Sequence, residues 1–70
     1  MSLQGHVKAI QRHMKKAAEA DSKQDHDREI HFARVAYRNL CAEAERKTEK
    51  QVQRDSPEAY RMWKNGVSGL

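Results

Sequence analysis

The chain reads as an all-α protein: an antiparallel helical hairpin plus a short third helix, a small bundle completed by oligomerisation. Three observations lead there. Residues 6 to 56 contain neither glycine nor proline, and the good helix formers Ala, Lys, Arg, Glu and Gln dominate them. No stretch sustains the apolar/polar alternation of a strand. Apolar residues recur instead at steps of three and four, the seam of an amphipathic helix.

The first helix is expected from about Leu3 to Asp21, with Leu3, Val7, Ile10, Met14 and Ala17 as its stripe. The opening "MSL" carries little weight in that assignment. The segment "EADSKQDHDRE", residues 19 to 29, then either turns the chain or continues one long rod. In a straight helix advancing about 100° per residue, the first stripe and the next would be centred roughly 140° apart. Each half of a rod would then need its own partner, whereas a reversal between Asp21 and Asp27 lets the stripes face each other. Ser22 and Asp25 offer side-chain oxygens for the start of a second helix, and acidic residues suit that end of the helix dipole. The hairpin is the preferred reading, although no glycine or proline enforces it.

The second helix is expected from about Asp25 to Arg54, with Ile30, Ala33, Tyr37, Leu40 and Ala44 on its main stripe. Phe32, Val35 and Ala36 lie off that stripe, so this helix should touch the first on one side and something else on another. Residues 45 to 54, "ERKTEKQVQR", are polar except for Val52. They are expected to project into solvent or to pair in an oligomer, with Glu43 and Lys47 paired one turn apart. The segment "RDSPEAYRMWKNG" holds the clearest local signals. Ser56 is a strong N-cap, Pro57 suits the first helical position, and Gly66 marks a stop, with Val67 meeting Met62 in a Schellman-type end. The third helix therefore spans about Pro57 to Asn65 and is too short to stand alone. Residues 67–70 are expected to fray.

Size bounds function. A single domain of 70 residues, 37% apolar and 6% aromatic, has a thin, alanine-rich core. Its one cysteine cannot form an internal disulfide, and no Cys/His spacing suggests structural zinc. A partner is the expected source of the missing buried area, a homo-oligomer first and a dimer in particular. No apolar run is long enough to span a membrane, and the N-terminus lacks the apolar core of a signal peptide. With a free thiol, that points to the cytoplasm.

No catalytic, cofactor-binding or metal site is expected. His6, His13, His26 and His31 lack ligand spacing and read as surface residues with modest pH sensitivity. Cys41, beside Leu40, reads as a buried inert thiol. Gly-rich phosphate loops, nucleophile elbows and convergent carboxylates are all missing, so the chain is not expected to be an enzyme. Net charge is +4, from 14 basic and 10 acidic residues. Lys8, Arg12, Lys15 and Lys16 gather on one face of the first helix and are the candidate phosphate-contacting residues. Phe32, Val35, Ala36, Tyr60 and Trp63 are the candidate protein interface, Tyr60 and Trp63 serving first as a plug closing the bundle. The leading functional expectation is a non-enzymatic interaction or adaptor module acting as a homo-oligomer, with an unidentified protein partner. The alternative is a small basic nucleic-acid-binding or regulatory protein.

Overall fold

A computed structural model describes residues 2–70 and is all-helical. Its four helices are α1 (Leu3–Ala18), α2 (Lys23–Glu45), α3 (Glu49–Asp55) and α4 (Pro57–Asn65). The longest dimension is 40 Å, whereas a straight helix over residues 3 to 54 would run about 78 Å. The chain therefore reverses, and α1 and α2 form an antiparallel hairpin. His13 lies against Glu29 while His6 lies against Glu43, so partners move toward the C-terminus of α2 as they move toward the N-terminus of α1.

The reversal comes earlier than the sequence suggests, at residues 19–22 rather than between Asp21 and Asp27. Ser22 fixes it. Its Oγ accepts the Asp25 N–H at 3.1 Å, so α2 starts at Lys23, ahead of Asp25. On the other side, the Ala17 carbonyl, which takes the Ala20 N–H at 3.3 Å, also accepts from His26 Nδ1 at 2.8 Å. A carbonyl can only accept, so His26 carries its proton on Nδ1. A side chain of α2 thus closes the end of α1.

The second expected helix is two helices. The chain leaves α2 at Glu45, turns through residues 46–48 and starts again as α3. Thr48 and Gln51 make a reciprocal capping box: Thr48 Oγ1 accepts the Gln51 N–H at 3.2 Å, and Gln51 Oε1 accepts the Thr48 N–H at 3.1 Å. The segment does not project into solvent. Val52, its one apolar anchor, is 0% exposed within the core. The bend also undoes the expected Glu43–Lys47 pair. Glu43 faces His6, and Lys47 faces Asp55 at 3.5 Å.

α4 follows α3 with Ser56 between them, capping the end of one and the start of the other. The buried Ser56 Oγ accepts the Ala59 N–H at 3.1 Å and donates to Gln4 Oε1 at 2.6 Å. Gln4 and Gln11, on one face of α1, both donate to the Glu58 carboxylate in the first turn of α4. At the far end, Tyr37 donates to the Met62 carbonyl at 3.1 Å. A helix too short to be stable alone is thus fastened to α1 at one end and to α2 at the other. It stops at Gly66, at φ 78°, ψ −178°. Glycine alone enters that region readily, and it is not the left-handed helical conformation of a Schellman end.

The core joins Leu3, Val7 and Ile10 of α1 to Ala36, Leu40 and Ala44 of α2, Val52 of α3 and Ala59 of α4. Leu3 belongs to it fully, at 3% exposure, despite its place in the opening residues. Alanine at so many core positions lets helix backbones approach closely. Ala36, at 8% exposure, packs inside the bundle, and its edge lines the groove beside Phe32 and Val35. Tyr60, Trp63, Val67 and Leu70 pack partly buried against this core, so the expected plug position is occupied and the last residues lie on the bundle.

Candidate functional site

One surface feature that the fold leaves unaccounted for is a groove along one side of the hairpin. It lies between Ala9, Arg12 and the histidines of α1 and Phe32, Val35 and Asn39 of α2, with a volume of about 270 Å³. Phe32 and Val35 are the exposed large hydrophobic residues, at 44% and 38%. They stand there because α2 carries two seams. The main one, from Ile30 to Ala44, faces α1 and α4. The second runs through Arg28, Phe32, Val35, Asn39, Ala42 and Arg46 at steps of four, three, four, three and four, the spacing of a helix seam. α1 covers the first seam and only the edge of the second.

The walls of the groove are polar and organised. His13 Nδ1 lies 2.8 Å from Glu29 Oε1, and its ring tilts 41° against Phe32 with centroids 5.4 Å apart. That hydrogen bond holds the Glu29 carboxyl below its usual range, with the charges of His13, Lys16 and Arg28 adding to the effect and burial opposing it. The ionised Glu29 can only accept, so His13 presents a protonated Nδ1 to it. His6 Nε2 stands 3.4 Å from Glu43 Oε1 at the other end of the groove. The expectation of four surface histidines therefore fails for two of them. His6 is buried at 8% exposure and His13 is half-buried. Their signal was legible in principle: His6 and His13 are one heptad apart beside the α1 stripe, and Glu29 and Glu43 two heptads apart beside the α2 stripe. Such flanking positions join neighbouring helices.

The remaining sequence candidates fall into separate places. Lys8, Arg12, Lys15 and Lys16 are all exposed on α1, and among the described residues none of the four forms an ion pair. Arg12 alone of them also lines the groove. Tyr60 and Trp63 sit across the bundle on α4, edge to face at 6.3 Å, with the Lys64 ammonium 4.4 Å from the Trp63 ring and paired with Glu49 of α3. They do not join Phe32 and Val35 in one patch. Cys41 is half-buried rather than buried, and lies against Tyr37. Burial, first, and this neighbour push the Tyr37 phenol up from its usual range.

Among the described residues no group of three or more His, Cys, Asp or Glu side chains converges as a metal site. No described helix is long and apolar enough to cross a membrane. Compared with known proteins, the chain matches no family model, no curated protein and no solved structure.

Proposed function

We propose that this chain is a non-enzymatic protein-interaction module, an adaptor that presents the open side of its helical hairpin to a helical partner. The observation that carries the reading is the second seam of α2: Phe32 and Val35 exposed side by side, at helix-seam spacing, on a groove with shaped walls. Adjacent exposed apolar residues rimmed by polar ones mark docking surfaces more often than single scattered ones do. Nothing in the groove resembles reaction machinery. Its histidines are engaged with glutamates, and the one thiol lies elsewhere, against Tyr37.

Self-association is the form of this proposal that needs no other molecule, with a dimer closing the open faces of two copies. Its supports are the thin, alanine-rich core of a 70-residue chain and the exposed Phe32 and Val35. Light scattering from micromolar to millimolar chain, with Val35→Lys as control, tests it. In parallel, amide spectra of the chain titrated with amphipathic helical peptides test docking of a foreign helix. A chain that stays monomeric and whose groove amides respond to no such peptide removes the interaction reading. A free half-buried thiol is the support for placing the module in the cytoplasm.

A second reading is favoured by four exposed cations of α1 that form no ion pair among the described residues. Lys8, Arg12, Lys15 and Lys16 could neutralise phosphates of a nucleic acid, weakly and without base selection, because no Phe, Tyr or Trp is interleaved with them and the amide among them, Gln11, is engaged with Glu58. Titration of random duplex at low and high salt, with all four replaced by glutamine, decides it. An affinity unchanged by the replacements ends this reading.

A further inference from the structure

We infer that the groove between α1 and α2 takes an acidic amphipathic helix: a segment of another protein with an apolar stripe flanked by carboxylates. The inference rests on the interaction reading above and names the chemistry of the partner. Ala9, Phe32, Val35 and Ala36 give the groove apolar lining, and Asn39 supplies an amide. Among the described residues no carboxylate lines it. The two acids beside it, Glu29 and Glu43, are held by His13 and His6 and turned to the hairpin's own use. The charges left for a visitor are cationic. Arg12 lines the groove from α1 and has no ion-pair partner of its own among the described residues. Lys16 and Arg28 approach the Glu29 end closely enough for their charges to act on that carboxyl. Arg28 and Arg46 bracket the exposed seam at its two ends, Arg28 reaching only the exposed Asp25 at 3.4 Å.

The same charges argue against a second copy as the occupant. Two such faces brought together would set Arg12, Arg28 and Arg46 of one chain among those of the other, on molecules that each carry a net charge of +4. Like charges across an interface disfavour the pairing, and opposite charges favour and steer it. The seam from Arg28 to Arg46 covers 18 residue steps, about 27 Å of helix. A partner helix of about five turns would match it, with its leucine-type side chains entering between Phe32 and Val35 and its acids meeting the rim.

The test uses the full chain and three synthetic 18-residue helical peptides. One has a leucine stripe with glutamate flanks, one the same stripe with lysine flanks, and one glutamate flanks with serine in place of leucine. The glutamate–leucine peptide should move the amides of Phe32, Val35 and Asn39 and bind less tightly as salt rises. The lysine-flanked and serine-striped peptides should bind at least tenfold more weakly. Arg12→Glu, an exposed change that leaves the core untouched, should weaken the acidic peptide roughly three- to tenfold and narrow its lead over the lysine-flanked one. Equal binding of the two leucine peptides overturns the charge inference and leaves the interaction reading standing. Self-association through the same amides, with no response to any peptide, makes a second copy the occupant and likewise overturns it. A response to random duplex at these groove amides stronger than to the acidic peptide overturns it in favour of nucleic acid. A monomer that answers no peptide overturns both readings together.

Discussion

Replacing Ser56 with alanine should do more damage than the loss of one hydroxyl suggests, because that oxygen holds two helices. It accepts the Ala59 N–H that starts α4, and it donates to Gln4 of α1 from a buried position. Loss of an N-cap costs about 1 kcal/mol. Loss of the hydrogen bond to Gln4 adds about 0.5–1.5 kcal/mol, since Gln4 Oε1 is left without that donor. The sum, about 2 kcal/mol, lowers Tm by roughly 8–16 °C in a domain of this size. Urea unfolding followed by circular dichroism should give a lower midpoint at unchanged slope. Trp63, the single tryptophan, sits on α4 and should report the loosening as a red-shifted emission. The partition between cap and clasp comes from a double-mutant cycle with Gln4→Met, whose coupling should be about 1 kcal/mol. A Tm drop under about 2 °C refutes the account of the cap. Strict additivity of the two substitutions refutes the clasp between α1 and α4.

Three further outcomes follow from the same geometry. Val52→Ala should cost about 2–3 kcal/mol by chemical denaturation, from two buried carbons and the cavity they leave, while Val35→Ala, on the exposed seam, should cost under about 0.5 kcal/mol. Equal costs would mean that α3 does not seat Val52 in the core. Gly66→Ala should destabilise by about 1–3 kcal/mol through backbone strain alone, because a Cβ there meets nothing within 4 Å; a neutral or stabilising result contradicts the φ of 78°. Glu29, held below its usual range first by the His13 hydrogen bond, favours folding in its ionised form. Its contribution is therefore complete above the unfolded carboxyl value of about 4.3 and is lost as pH falls through the lower folded value. Thermal melts below about pH 4.3 should show a shallower decline for Glu29→Gln than for the parent chain, and superimposable pH profiles would show that the His13 bond contributes nothing.

The sequence by itself determined the elements whose signals are local. The two stripes and their 140° offset favoured a hairpin over a rod, and Ser56, Pro57 and Gly66 bounded α4, because caps, proline and periodicity act over one or two turns. The break after Glu45 was written locally too, in the Thr48–Gln51 capping box, but it was hidden among residues that all favour helix, so propensity alone read straight through it. Tertiary structure decided the rest. It turned Val52 from a lone apolar residue in a polar run into a core residue, since burial depends on where a chain returns and not on its neighbours in sequence. It assigned Ala36 inward and left Phe32 and Val35 outward, a choice among adjacent positions on one helix that only the placement of α1 and α4 could make. It also moved His6 and His13 from the expected open surface into the walls of a groove. Their carboxylate partners lie 37 and 16 residues away along the chain, and no local pattern joins residues at that separation until two helices are laid side by side.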